Sequence, residues 1–375
     1  AARIVAVADG AQLASRGLVR PINIAPTIQG KINMAASAQR IVLASRPAGE
    51  PKPENFRLEE IPVPTPGLGH LLMRTIWLSL DPYMRGRMSD AASYAAPVQI
   101  DAVMEAGTVG EVMASNVDGF KVGDIVLGRG GWQTHALSDG KGLRKIDPKA
   151  APLSTALGVL GMPGMTAYTG LLDIGKPQPG ETVVVAAASG AVGSAVGQIA
   201  KIKGARAIGI AGGPDKCRYV KEVLGFDACI DHRSPTMAED LKKACPKGID
   251  VYFENVGGAV FEAVLPLLNM FARVPVCGLI SQYNAFEEEK GGKSMNFLLR
   301  NALVKSLTIR GFIVSNFASR YPDCIADMTK WFAEGRIKHR ETAVEGLANA
   351  PKAFIGLLRG ENFGKQLVRV GPDRA

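Results

Sequence analysis

Two textures of hydrophobic and polar positions divide the chain. From Ile41 to Asp147 short apolar runs are broken by turn signals. Phe56-Arg-Leu-Glu-Glu-Ile-Pro alternates, Pro64-Thr-Pro-Gly-Leu-Gly interrupts, and strand-like runs follow from His70, Gly107 and Asp124, with a turn at Asp118-Gly119. Such runs predict a mostly β, barrel-like domain. After about Leu157 strands alternate with helices. Strands are expected over 182–188, 205–211, 227–231, 249–254, 272–277 and 307–313, with helices over 190–203, 215–224, 237–244 and 260–268. That alternation is the signature of a doubly wound parallel sheet. A helix near 321–334 and a strand over 365–370 then lead back to the first domain. The fold class is therefore α/β, with a second, mostly β domain.

Composition and charge refine this outline. Hydrophobic residues make up 47% of the 375 positions, enough to build a large core and to exclude general disorder. A net charge of +9 permits a nucleic-acid partner, but aromatics are only 6% and there is no long basic block, so none is expected. Residues 1–33 hold Arg3, Arg16, Arg20 and Lys31 against one acid, Asp9, and end just before Met34. An acid-poor leader of this kind suits a transit peptide; non-native or upstream-coded sequence, with Met34 as the start, is the favoured reading. The domains are then expected at 34–158 (β domain), 159–320 (nucleotide domain) and 321–375 (return to the β domain).

The uncharged stretches 150–172 and 182–200 are long enough to span a membrane. The first carries Pro152, Pro163 and four glycines, and reads as a turn-rich segment; the second reads as a strand followed by a helix. No membrane span is expected. Cys217, Cys229, Cys245, Cys277 and Cys324 form no CxxC pair, and are expected as reduced, mostly buried thiols in a cytoplasmic protein.

The run Ala188-Ser189-Gly190-Ala191-Val192-Gly193 stands where a strand passes into a helix. A dinucleotide fingerprint reads G-x-G-x-x-G, and here Ala188 replaces the first glycine. Gly190 would let the backbone approach a pyrophosphate at the helix N-terminus, and Gly193 would let helix and strand pack closely. A tight turn without ligand remains the alternative. The next strand ends at Ala211-Gly212-Gly213-Pro214-Asp215-Lys216-Cys217-Arg218, with no acid at its tip for a ribose 2′-hydroxyl. Lys216 and Arg218 suit a 2′-phosphate, Asp215 is expected to cap the helix, and the pattern favours NADP over NAD.

Several ordered motifs resemble those of zinc-independent medium-chain dehydrogenase/reductases of the alkenal/one oxidoreductase type, which includes the leukotriene B4 12-hydroxydehydrogenase/prostaglandin reductases, plant double-bond reductases and bacterial curcumin reductases. They are Pro53-Glu-Asn-Phe-Arg, Leu78-Ser-Leu-Asp-Pro-Tyr-Met-Arg-Gly-Arg-Met, Gly161-Met-Pro-Gly-Met-Thr-Ala-Tyr, 186–193, Glu254-Asn-Val-Gly-Gly, Cys277-Gly-Leu-Ile-Ser-Gln-Tyr-Asn, Gly311-Phe-Ile-Val and Asn362-Phe-Gly-Lys. The resemblance covers nearly all of 40–371. It implies a GroES-like catalytic domain and a Rossmann domain with the active site between them, NADPH and a homodimer. It places Lys216 at the 2′-phosphate, and His232 where a tyrosine is common, with a plain strand-end histidine as the alternative. Met165, Thr166, Asn255, Phe312, Val314 and Asn362 fall near the nicotinamide half, with Gly212 at the ribose end. No Gly-His-Glu motif occurs and the first cysteine is Cys217, so the catalytic and lobe zinc sites of the wider family are not expected.

Reduction of an α,β-unsaturated carbonyl needs a hydride at the β-carbon, a donor at the oxygen and a proton for the α-carbon. Tyr283, beyond the end of a parallel strand, is the first choice for the donor; a pocket-wall tyrosine, with the cofactor's ribose hydroxyl as donor, is the alternative. Tyr83 is the second candidate, against a core tyrosine. Arg85 and Arg87 are expected to anchor their loop. The charged loop 287–293 is read as a lid or as a solvated loop. The expected activity is NADPH-dependent reduction of enone or alkenal double bonds, curcumin-like substrates included. A quinone reductase and a non-catalytic NADPH-binding scaffold are the alternatives.

Overall fold

The computed structural model describes residues 37–284 and 294–373. Fifteen strands are described: β1 (Ser37–Leu43), β2 (Phe56–Pro62), β3 (Leu71–Ser79), β4 (Thr108–Ser115), β5 (Ile125–Gly128), β6 (His135–Ser138), β7 (Arg144–Lys145), β8 (Thr182–Ala186), β9 (Arg206–Ala211), β10 (Ala228–Asp231), β11 (Ile249–Phe253), β12 (Leu268–Val276), β13 (Thr308–Gly311), β14 (Glu341–Glu345) and β15 (Lys365–Arg369). The helices are α1 (Met84–Arg87), α2 (Met162–Thr169), α3 (Ala191–Ile202), α4 (Pro214–Glu222), α5 (Met237–Ala244), α6 (Gly258–Val264), α7 (Ser294–Val304), α8 (Tyr321–Ala333) and α9 (Ala350–Leu358).

Six strands form a parallel sheet in the order β10-β9-β8-β11-β12-β13. Numbered from β8, this is 3-2-1-4-5-6, the order of dinucleotide-binding doubly wound folds, with the topological switch between β8 and β11. Every residue of β8 is buried, as expected for a central strand covered by helices on both faces. Two cores lie on the two faces, one holding Val183, Val185, Val251 and Phe253, the other Val184, Ala186, Ile208 and Tyr252.

The remaining strands make a β1-β2 hairpin and a sheet of order β14-β15-β3-β4-β5-β7, in which β6 also pairs with the first half of β3. β15 lies antiparallel to β3, with Val368 opposite Leu78, and parallel to β14. The stacked Phe56 and Trp132 rings and the edge-on Phe354 tie α9 into this half. The fold is therefore the expected α/β class, a Rossmann sheet plus a mostly β, GroES-like part.

The stretch 150–172, expected to be turn-rich, is helical: a 3-10 turn at Leu153–Leu157, α2, and a π-turn at Gly170–Gly175. Its glycines serve packing, since a Cβ at Gly161 or Gly164 would lie about 2 Å from the carbonyl oxygen of Ala156 or Val159. Pro163 stands in the first turn of α2, where its missing N–H costs nothing. The five cysteines are free; Cys245 and Cys324 are buried, whereas Cys217, Cys229 and Cys277 are only partly buried, more open than expected. Among the described residues no helix is long and apolar enough to cross a membrane.

Candidate active site

The turn after β8 is shaped by two small residues in different ways. Ala187 takes a left-handed φ of 51°, and Ala188, at the position of the fingerprint's first glycine, still donates its N–H to Ile210 of β9 at 2.9 Å. The sharp bend thus falls one residue earlier than the motif suggests. Gly190 precedes α3, and its Cβ would lie 3.2 Å from the Ala187 oxygen; at Gly193 the distance would be 2.3 Å, so only glycine lets α3 pack on the turn. No side chain caps α3, and the amides of its first turn are left for a ligand. Ser189 accepts at its carbonyl from Gly364 N at 3.2 Å.

Lys216, His232 and Arg233 gather at the end of β9, around Gly212 and Gly213. A Cβ at Gly212 would lie 2.8 Å from His232 Nε2 and 3.2 Å from Arg233 Nε. Burial, reinforced by Arg233, lowers the pKa of both Lys216 and His232, as expected for cations crowded together. Asp231, at the end of β10, accepts from the backbone N–H groups of Gly213 at 2.8 Å and Arg233 at 2.9 Å, and is committed to holding the turn. Lys216 Nζ donates to the Gly360 carbonyl at 2.6 Å, whereas Arg218 donates to Asp215 at 2.7 Å on the exposed face of α4. Asp215 is not the cap: Gly213 is the N-cap residue, Pro214 opens the helix, and Asp215 follows inside it. A cationic cradle at a strand tip, with Asp231 spent on backbone and Asp215 on Arg218, fits a 2′-phosphate, as the α3 turn fits a pyrophosphate.

The segment leading into β15 lies along this turn. Gly364 bridges Gly190, Asn362 Nδ2 donates to the Gly364 carbonyl at 2.7 Å, and Phe363 packs edge-on against Tyr219 of α4, ring centres 5.0 Å apart. Of the expected nicotinamide-side residues, Asn255 pins the end of β8 by donating to the Ala186 carbonyl at 2.8 Å. Thr166 spends its hydroxyl on the Met162 carbonyl, and Met165 is buried in the core. Phe312 packs edge-on between Phe253 and Phe317, and Val314 packs against the same core.

Asp81-Pro-Tyr-Met-Arg and Ser281-Gln-Tyr-Asn, far apart in the chain, meet directly. Arg85 Nε donates to Asn284 Oδ1 at 3.2 Å and its other arm reaches the Gly49 carbonyl at 2.8 Å. Arg87 is held by Glu105 at 2.8 Å and by the Ala95 carbonyl, so both arginines anchor their loop. Asp81 is buried against Lys365 Nζ at 2.9 Å, and Ser79 donates to its other oxygen. The Arg87 guanidinium lies 5.8 Å from the Tyr83 ring centre and 4.4 Å from that of Tyr94. Burial raises the pKa of Tyr83, Tyr94 and Tyr283 alike, with Tyr94 acting on the other two. The Tyr283 oxygen would lie 2.9 Å from a Cβ at Gly278, so glycine leaves room for the phenol there. These phenols remain protonated at neutral pH and can donate hydrogen bonds.

Two residues of these clusters escape sequence reasoning. Arg233 stands two residues beyond a strand whose basic partners come seventeen positions earlier, and only strand order joins them. Tyr94 sits in a stretch without periodicity, and its one signal is an aromatic amid small residues after the Asp81 motif. The expected lid 287–293 and the leader 1–33 fall outside the described residues. Among the described residues, no group of three or more His, Cys, Asp or Glu side chains is placed to hold a metal ion.

Known proteins resemble the chain over most of its length. Residues 39–146 match the N-terminal domain of oxidoreductases and residues 191–333 match the family described as zinc-binding dehydrogenase. The chain is 56% identical over 336 residues to NADPH-dependent curcumin reductase of Escherichia coli, covering 89% of this chain and 97% of that protein. It is 40% identical over 326 residues to prostaglandin reductase 1 of Bos taurus, covering 86% and 95%. The crystal structure of CurA from Vibrio vulnificus in complex with NADPH superimposes with a TM-score of 0.87 at 56% identity, over 89% of this chain and all of that one. A Rossmann sheet joined to a mostly β part, with these relatives along nearly the whole described length, makes the chain a member of the medium-chain dehydrogenase/reductase family, on the branch that holds the curcumin and prostaglandin reductases.

Proposed function

We propose that the chain is an NADPH-dependent reductase of the carbon–carbon double bond in α,β-unsaturated ketones and aldehydes, curcumin-like substrates among them. The observation that carries this reading is the Arg85–Asn284 hydrogen bond, which brings the Tyr83 and Tyr283 motifs together, while Lys365, next to Gly364, holds Asp81 of the first motif. When bound, NADPH supplies the hydride for the β-carbon. Gly190, Ala191, Val192 and Gly193, with Ser189, cradle the pyrophosphate, and Lys216, His232, Arg233 and Gly212 receive the 2′-phosphate, Arg218 contributing at longer range. Met165, Thr166, Asn255, Phe312, Val314 and Asn362 shape the nicotinamide side.

Tyr283 donates to the substrate carbonyl oxygen as negative charge develops there, a role its burial-raised pKa supports. Tyr83 sits against the planar enone, with Tyr94 beside it. The domains divide at 34–158, 159–320 and 321–375, and the protein works in the cytoplasm, which its free thiols suit.

The working form is a homodimer joined along the edge of the parallel sheet. All four residues of β13 are exposed there, and α7 offers Leu299, Leu303 and Val304 with Phe271 close by, Leu303 being 81% exposed. Phe271 N bonds the Lys305 carbonyl at 2.8 Å, which joins the two parts of the apolar patch. An open edge flanked by apolar side chains is a pairing surface. The test of the activity follows NADPH absorbance with trans-2-nonenal, curcumin and a panel of quinones. Oxidation of NADPH with the enones is expected; turnover of quinones alone would replace this reading with quinone reduction, and no turnover would leave a binding scaffold.

A further inference from the structure

Cys217 and Cys229 face the same small patch of the nucleotide sheet, and the proposed reaction uses neither. Cys217 lies in the first turn of α4, directly after Lys216, and Cys229 lies on β10, paired with Gly209 of β9. A Cβ at Gly209 would meet Val220 of α4 as well as Cys229, so the Cys229 sulfur lies on the face of the sheet that α4 covers. Cys229 Sγ is 3.3 Å from where a Cβ at Gly209 would stand, and Cys217 Sγ is 4.0 Å from the carbonyl oxygen of Ala211, two residues along the same strand. Both thiols pack against one core, which also holds Val220 and Ala211, and each perturbs the titration of the other. The neighbouring thiol holds Cys217 below its ordinary value and, with burial, pushes Cys229 up. A partly exposed, more acidic thiol beside a second one is the arrangement of an oxidisable dithiol.

We propose that Cys217 and Cys229 form a modification site, a dithiol that hydroperoxides convert to a disulfide and that thereby weakens the hold on the cofactor's 2′-phosphate. The Cys217 thiolate attacks the peroxide, the O–O bond breaks, water or an alcohol leaves, and Cys217 becomes a sulfenic acid. Cys229 then attacks that sulfur, the S–S bond forms as the S–O bond breaks, and water leaves. The two thiols lose two electrons to the peroxide, and their protons depart in the water and the alcohol. Closing the bond to about 2.05 Å draws the first turn of α4, with Lys216, against β10, whose end carries His232 and Arg233. This consequence rests on the reading of those three residues as the 2′-phosphate site.

The full chain, treated with hydrogen peroxide and digested, is examined by mass spectrometry, and NADPH and NADH dissociation constants are measured before and after. The expected result is a linked pair of peptides carrying Cys217 and Cys229, lost in Cys217→Ser and in Cys229→Ser. NADPH affinity should fall about tenfold, on the order of one charge-assisted hydrogen bond, while NADH affinity holds and dithiothreitol reverses the change. Both serine variants should keep their NADPH affinity through the treatment. Over-oxidation of Cys217 without linkage, a linkage elsewhere, or a Cys217–Cys229 linkage that leaves NADPH affinity unchanged would overturn the proposal. Lys216→Met, measured reduced in the same series, tests the phosphate reading separately: normal NADPH affinity there would remove that reading, while the linkage would still be scored by mass.

Discussion

Replacing Lys216 by methionine removes a charge while keeping most of the aliphatic stem. The ammonium stands half-buried beside Arg233, with the Gly360 carbonyl at 2.6 Å; under the proposed function it leaves that carbonyl to receive the 2′-phosphate. A hydrogen bond to a charged group is worth about 1.5–3 kcal/mol, and an ordinary one about 1 kcal/mol. Exchanging the second for the first leaves a net gain of roughly 0.5–2 kcal/mol, which corresponds to about 2- to 30-fold in affinity. Lys216→Met should therefore raise the NADPH dissociation constant within that range. NADH, lacking the phosphate, should bind as it does to the unaltered protein. Fluorescence titrations of both cofactors at two salt concentrations provide the assay; the difference between them should shrink at high salt, as expected for a partly exposed cation. Equal weakening of NADPH and NADH would refute the argument, and so would an unchanged NADPH constant.

Tyr283→Phe should lower enone turnover by about 10²-fold or more while leaving NADPH binding intact, the loss expected of a general acid; near-normal turnover in a steady-state assay would leave Tyr283 as a pocket wall. Because burial raises the Tyr283 pKa, the donor form should persist through neutral pH, and a pH–rate profile should show no loss from this group until above the ordinary tyrosine range. Glu254 is buried with its pKa raised chiefly by desolvation, and one oxygen accepts from the Val256 and Gly257 amides at 2.6 and 2.9 Å. A carboxyl whose folded pKa lies above its unfolded value contributes stability that is present below the unfolded pKa and lost as pH rises through the folded one. Glu254→Gln, which keeps the accepting oxygen, should therefore gain in urea midpoint relative to the unaltered protein as pH rises from 4 to 8 (about these limits), and a constant difference would contradict this. Leu303→Glu on the exposed apolar face of α7 should shift the oligomer toward monomer in sedimentation equilibrium; an unmoved dimer would place its interface elsewhere.

The parallel sheet was legible because its strands are short apolar runs, as in Thr182-Val-Val-Val-Ala, separated by helix-length segments. The helical character of 150–172 was hidden because its glycines resemble turn formers and act as close-packing residues, a distinction that depends on carbonyls brought in from the preceding turn. Pro214 was the overlooked marker of the α4 start: a proline in the first helical turn identifies Gly213, not Asp215, as the cap. Motif resemblance supplied Tyr83 and Tyr283 separately, but their approach through Arg85 and Asn284 joins positions 199 apart, and no local pattern encodes that. Arg233 and Tyr94 lay beyond reach for the same reason, since each joins its cluster through tertiary packing.

The pairing of β15 with β3 also sets an order of assembly. Val368 faces Leu78 across that ladder, so the second half of β3, paired with β4 on one side, waits for nearly the whole chain to be made before its other neighbour exists. At ribosomal rates of about 5–20 residues per second, the wait is roughly 15–60 s. The parallel sheet, whose strands all lie between Thr182 and Gly311, has its complete set of partners earlier. The half that emerges first is thus finished last. Until then the second half of that edge of β3 stands open to other chains, and loss of β15 would leave it so permanently.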